Sequence, residues 1–244
     1  MTVINARIPL VFRLLHRFEA WLGRHSLCGD APVLDAAQFG WVPALQAQWQ
    51  AVAAEYHALL ARGEPIPPFQ AISPEQRALT TDARWRTFVL YAYGVKAPRN
   101  AALCPRTTAA VEAVPGLQTA MFSILEAGKV LPPHRGPYKG LLRVHLALQV
   151  PEPAQGCWIE VAGQRLHWRE GEVMVFDDTA IHSAANTTRG RRCVLFLDVL
   201  RPLPAPADHV NRTLIALVRR SPFGTRAKAV FRRWYAARGI QADV

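Results

Sequence analysis

Cysteine is scarce and scattered. Cys28, Cys104, Cys157 and Cys193 are the only four, and none forms a CxxC pair. The spacing argues against a zinc site and offers no disulfide framework, so reduced thiols in the cytoplasm are expected. A long apolar run is also missing. Arg7, Arg13 and Arg17 interrupt the hydrophobic stretch near the N-terminus, and no small-residue cleavage site follows, so neither a signal peptide nor a bilayer-spanning helix is expected. In that setting the Asn186-Thr187-Thr188 sequon reads as a polar turn. No internal repeat or low-complexity tract is evident. Charged residues make up only 19% of the 244 and hydrophobic ones 50%, a balance that favours a packed globule over disorder.

Acids are the other shortage. Lys plus Arg number 29 against 18 Asp plus Glu, a formal charge of +11, which calls for an anionic partner: nucleic acid, a phospholipid surface or an acidic substrate. The imbalance peaks between Asn211 and Gly239. Arg212, Arg219, Arg220, Arg226, Lys228, Arg232, Arg233 and Arg238 occur there with no acid, interleaved with apolar residues such as Leu217, Phe223, Phe231 and Trp234. Such a segment gains little from i,i+4 ion pairs, and an anionic membrane surface suits it better than bulk water.

A chain of this length can bury one sizeable core, and we expect one structural domain in three zones. Residues 1–118 form a helical and strand extension packed on the core. Within it, 6–25 carries the helical stripe Val11, Leu14, Leu15, Phe18, Trp21 and Leu22; 42–62 reads as a helix ending at Gly63; Glu64 through Pro68 is a linker; and 84–93 is a half-buried strand. Residues 119–202 hold the core, with strands expected at 119–126, 141–150, 157–162, 165–169, 172–177, 181–185 and 191–199. Many short strands between turn signals favour a barrel or jelly roll. Residues 203–244 form the basic amphipathic tail.

The chemistry centres on His134, His182 and Arg192, the last ten positions after the second histidine. Two neutral imidazoles and a fixed guanidinium are what an open Fe(II) site using 2-oxoglutarate needs: nitrogen ligands, vacant coordination positions and a cation for the cosubstrate's far carboxylate. Strand alternation adds to the set. On 141–150, Leu142, Val144, Leu146 and Leu148 share one face while Arg143 and His145 share the other, where they must find partners. The last strand places Arg192, Val194, Phe196 and Asp198 together. A barrel can thus gather Arg143, His145 and Arg192 around one anion, and Ser123 can add a hydroxyl.

The stretches FSILEAGKVLPPHRGPYKGLLRVHLAL (122–148) and GEVMVFDDTAIHSAANTTRGRRCVLFLDVLRP (171–202) resemble the aspartyl/asparaginyl β-hydroxylase family of Fe(II)/2-oxoglutarate dioxygenases, and WRTFVLYAYG (85–94) with Cys104-Pro105 extends the likeness. The resemblance implies a mainly β fold, a double-stranded β-helix of cupin-like jelly-roll form with flanking N- and C-terminal helices. It also implies that His134 and His182 bind iron, that Ser123, Arg143, His145 and Arg192 bind 2-oxoglutarate, and that O2 is the oxidant. Many 2-oxoglutarate oxygenases carry a carboxylate two residues after the first histidine; here Gly136 stands there, which implies water at the third iron position. Asp177 and Asp178 are read as supporting or turn residues, with direct metal contact the alternative.

Within the family, the compact form, the basic termini and the HRGPYKG loop are more similar to bacterial enzymes that hydroxylate acyl chains of lipid A or ornithine lipids than to peptide hydroxylases. The expected substrate is a membrane lipid. The expected location is cytoplasmic, peripheral on the inner face of the bacterial cytoplasmic membrane, without nucleic acid. The alternatives are β-hydroxylation of Asp or Asn in a peptide or of a small amino acid, and, more remotely, a non-enzymatic cupin-like binding module.

Overall fold

A computed structural model describes residues 10–241, and their side chains except at 10–16 and 222–224. Residues 6–9 of the expected N-terminal helix, the side chains of Val11, Leu14 and Leu15 in its stripe, and the Phe223 side chain lie outside the described set.

Eleven strands are present among the described residues: β1 Val33–Leu34, β2 Trp85–Ala92, β3 Val95–Lys96, β4 Leu117–Leu125, β5 Lys129–His134, β6 Leu141–Gln149, β7 Cys157–Val161, β8 Gln164–His167, β9 Val173–Phe176, β10 His182–Asn186 and β11 Arg192–Leu200. They form two antiparallel sheets, ordered β1-β9-β6-β11-β4-β2-β3 and β5-β10-β7-β8. The inner faces of these sheets enclose one core, including Met121, Leu131, Ile159, Phe176, Ala184 and Phe196. This is the expected jelly roll with flanking helices.

The larger sheet is covered on both faces, which explains why all nine residues of β11 are buried. Its outer face carries Phe122, Leu142, Val144, Leu146, Leu195 and Leu197 against helices α2 Val42–Gln46, α3 Trp49–Ala61 and others. The helix expected over 42–62 is two, interrupted at Ala47 and Gln48. Val52, Tyr56 and Leu59 of α3 repeat at helical spacing and face the sheet, each full burial contributing about 1.5–3 kcal/mol. Gly63, at φ 65°, ends α3 in the left-handed conformation.

Two differences from the sequence reading have clear causes. The boundary at residue 118 does not separate the sheet, because β2 pairs with β4 from Trp85↔Leu125 to Tyr91↔Ala120, so the expected half-buried strand is an integral member of the larger sheet. The segment containing Pro132-Pro133, which falls between the strands expected at 119–126 and 141–150, is itself strand β5. Proline is tolerated there because β5 lies at the edge of the smaller sheet and needs no donors on its open side. The Asn186 side chain is fully buried and donates to Leu125 O and Gly190 O at 2.9 and 2.8 Å, a polar-turn role as the sequence suggested.

The remaining helices are α1 Leu10–Arg24, short α4 Phe69–Ile72, α5 Pro98–Leu103, α6 Pro105–Glu112, α7 Ala207–Arg220 and α8 Pro222–Ala236. None among the described residues is long and apolar enough to cross a membrane.

Candidate metal and anion site

Antiparallel pairing of β5 with β10 sets His134 directly opposite His182, with ring centroids 4.1 Å apart. Each ring is fixed in the same way: His134 Nδ1 donates to Pro132 O and His182 Nδ1 to Ala180 O, both at 2.8 Å. A carbonyl can only accept, so the proton is on Nδ1 and Nε2 keeps its lone pair in both rings. Burial pushes both imidazoles towards the neutral form; the pKa of His134 falls and that of His182 drops to about 4. Neutral imidazoles with free Nε2 atoms are metal-ligand forms.

Asp178 supplies a third group. Its Oδ1 lies 3.4 Å from His182 Nε2. Two lone pairs facing across that gap with no proton between them repel, and a cation bound there removes the conflict. Gly136 makes room for this carboxylate: a Cβ at that position would lie 1.6 Å from Asp178 Oδ2. The space in which a side chain at 136 would stand is therefore filled by Asp178, reached from the opposite strand end. Among the described residues no three His, Cys, Asp or Glu side chains close into a complete metal-binding group, so the protein's own share is the histidine pair with Asp178 beside it.

The two arginines brought to the cavity differ in their partners. Arg143 Nη1 is 2.5 Å from Asp178 Oδ1, its Nη2 donates to Asp178 Oδ2 at 3.0 Å and its Nε to Asp198 Oδ1 at 2.9 Å, and it lies over the Phe196 ring. Its charge is answered within the protein, so the anion imagined between Arg143 and His145 is not required to satisfy it. Arg192 is 2% exposed and makes no ion pair among the described residues; Nη1 donates to Ser123 O at 3.1 Å, the guanidinium sits 4.3 Å from the Trp168 ring centre, and Nε has no partner. Burial alone pulls its pKa down to about 10.

His145 adds a second unanswered donor. Trp168 Nε1 can only donate, and it does so to His145 Nδ1 at 3.4 Å, which leaves the proton of the neutral ring on Nε2, without an acceptor. Burial, with Arg192 and Arg143 nearby, drives the His145 pKa far down. Ser123 Oγ accepts from Trp85 Nε1 at 3.1 Å, so its hydroxyl hydrogen remains available. Ser123, His145 and Arg192 thus line one cavity with His134, His182 and Arg143, and buried donors in its wall lack acceptors. An anion is the species they fit.

Sequence reasoning did not single out Trp168, Trp85 or Asp198. Trp168 lies within the strand expected at 165–169, on the same face as Leu166, but alternation alone gives it no role; the observed strand β8 stops one residue before it, at His167. Asp198 was placed on the correct face without a role, although a buried arginine one strand away needs a carboxylate.

Because the folded protein holds His182 neutral while the unfolded chain titrates near 6.5, protonation favours unfolding as pH falls from about 6.5 towards 4. The metal-free protein is expected to lose about 2 kcal/mol of stability between pH 7 and pH 5 from this residue alone. Urea denaturation at the two pH values measures it, and His182→Asn should flatten the difference.

The chain matches the model of the family described as aspartyl/asparaginyl beta-hydroxylase over residues 46–202. It is 46% identical over 200 residues to the ornithine lipid ester-linked acyl 2-hydroxylase of Rhizobium tropici, covering 82% of this chain and 71% of that one. It is 34% identical over 141 residues to human aspartate beta-hydroxylase domain-containing protein 2, covering 53% and 37%, and 28% identical over 181 residues to human aspartyl/asparaginyl beta-hydroxylase, covering 72% and 23%. The chain therefore spans less than half the length of either human relative. A cupin 2 conserved barrel domain protein from Salinispora arenicola overlaps 57% of this chain and 92% of its own at a TM-score of 0.33 and 13% identity, too distant to add to the fold seen directly.

Proposed function

The chain belongs to the aspartyl/asparaginyl β-hydroxylase family, and we propose that this hydroxylase uses Fe(II), 2-oxoglutarate and O2 to place a hydroxyl at carbon 2 of an acyl chain in a bacterial membrane lipid. The observation that carries the cosubstrate is Arg192, a buried cation without a carboxylate partner among the described residues, in the same cavity wall as two neutral histidines with free Nε2 atoms. The lipid class is supported by the extent of the likeness to the R. tropici ornithine lipid hydroxylase, which makes an ester-linked chain of ornithine lipid the first candidate and lipid A the second.

In this reading His134 and His182 would hold the iron, and the carbonyls of Pro132 and Ala180 keep both rings in the ligating tautomer with Nε2 unprotonated. Asp178, clamped by Arg143, orients what binds beside His182. Arg192 receives the distal carboxylate of 2-oxoglutarate, with Ser123 and His145 donating to the same anion. Trp85, Trp168, Phe176 and Phe196 keep the site dry. Bound iron would supply the oxygen chemistry in which one atom of O2 enters the substrate C–H bond and the other enters succinate as 2-oxoglutarate loses carbon dioxide.

The test is succinate formation by purified protein given Fe(II), 2-oxoglutarate and dispersed ornithine lipid. Wild type turns over and His134→Ala loses at least about 1000-fold, as expected when a metal ligand of an obligatory metal is removed. Equal rates in the two proteins contradict the assignment. Turnover with an Asp- or Asn-containing peptide in place of lipid would move the substrate to the peptide branch.

A further inference from the structure

The lip of the site is tied to both terminal helical regions. Residues 135–140 lead from His134 into β6. Arg135 Nη2 donates to Glu19 Oε1 of α1 at 2.9 Å, and Tyr138 Oη donates to Asn211 Oδ1 of α7 at 2.8 Å, while Asn211 Nδ2 donates to Gly140 O at 2.9 Å. Leu22, Leu203 and Ala207 form a small apolar core next to them, with Tyr138 packed against it. So α7 runs beside the segment that leaves the first candidate metal ligand.

What α7 and α8 turn outward is unusual for a helix pair packed on a core. Val210, Thr213, Leu217 and Arg220 follow one another at helical spacing, and all are exposed; Leu217 is 58% and Val218 45% exposed. On α8, Phe231 and Tyr235 face inward, leaving Arg226 and Arg233 exposed two turns apart. The whole stretch from 211 to 239 contains eight Lys or Arg and no acid.

We propose that the outward face of α7 and α8 docks on an anionic lipid bilayer and holds the mouth of the site against it. Arginines beside exposed leucine and valine match a surface that offers phosphate groups and, just beneath them, an apolar medium; a nucleic-acid backbone offers only the first. The choice of a bilayer over an acidic protein rests on the acyl-hydroxylase reading above. The contacts of Asn211 with Tyr138 and Gly140 then give docked α7 a direct mechanical connection to the segment that follows His134.

Full-length protein is sedimented with vesicles of phosphatidylcholine alone and of phosphatidylcholine containing phosphatidylglycerol, at low and high salt. Binding is expected only with the anionic lipid and is weakened by salt. Arg220→Glu/Arg226→Glu/Arg233→Glu lowers partitioning by about 100-fold or more, and Leu217→Ser/Val218→Ser by about tenfold, with wild-type circular dichroism and melting in both. The proposal fails if neither vesicle binds, if both bind equally or if the variants bind like wild type. Tighter association with duplex DNA that ignores the Leu217/Val218 change also overturns it, as does a stable dimer that covers Leu217. Vesicle binding is scored without turnover: protein that binds vesicles yet hydroxylates no lipid refutes the acyl reading, and protein that hydroxylates dispersed lipid without binding vesicles refutes the docking surface.

Discussion

Arg192→Met raises the 2-oxoglutarate concentration needed for half-maximal turnover by about 100-fold or more, while the ligand-free protein melts at the wild-type temperature or above it. Both halves follow from one fact. The guanidinium is almost fully buried against Trp168, and no carboxylate balances it among the described residues, so in the ligand-free protein it is a desolvated charge. Methionine fills similar space, keeps a favourable sulfur contact with the indole and removes that desolvation cost. Removing the charge also removes the partner of the cosubstrate's distal carboxylate, and breaking a desolvated charge pair costs about 2–5 kcal/mol, or at least tens-fold to thousands-fold in affinity. Succinate formation against 2-oxoglutarate concentration, paired with a melting curve, separates the two effects. A purely structural arginine would give the opposite pattern, with a lowered melting temperature and an unchanged cosubstrate requirement.

Gly136→Asp abolishes turnover and destabilises the protein by about 3 kcal/mol, and Gly136→Asp/Asp178→Gly recovers most of the stability. A Cβ on residue 136 falls 1.6 Å from Asp178 Oδ2, and Asp178 cannot yield because Arg143 grips both of its oxygens. The single change therefore drives out a buried carboxylate and leaves Arg143 with fewer partners, the situation in which breaking a buried pair costs about 3–5 kcal/mol. The double change returns one carboxylate to roughly the same space from the other side of the cavity. A double-mutant cycle in urea reads the coupling, and an interaction energy near zero would show that the two positions do not share this space.

Much of this arrangement can be read from the chain because strand alternation is strict where both sheet faces are buried. Arg143, His145, Arg192 and Phe196 line the cavity as their spacing requires, with Val194 in the core beside them and Asp198 bonded to Arg143, while Leu142, Val144 and Leu146 lie beneath the helices. Strand β5 is hidden by Pro132-Pro133, since proline argues against a strand unless its edge position is known, and edge position is a tertiary fact. The partners of Arg143 are hidden for the same reason. Asp178 and Asp198 are 35 and 55 residues away in sequence, and only the pairing of β6 with β11 and β9 brings them within reach. Trp168 falls inside the strand expected at 165–169, but alternation says only that its side chain shares a face with Leu166; its role emerges when a buried guanidinium is found against its ring.

The most direct test of the central claim is mass spectrometry of lipid extracts from bacterial cells expressing wild type or His134→Ala, with ornithine lipids and lipid A scored for a single added oxygen and the acyl position located by fragmentation. Lipid acyl hydroxylation predicts one added oxygen at carbon 2 in the wild-type extract and none with His134→Ala. Identical lipid profiles in the two strains, from cells that accumulate both proteins in folded form, would contradict it.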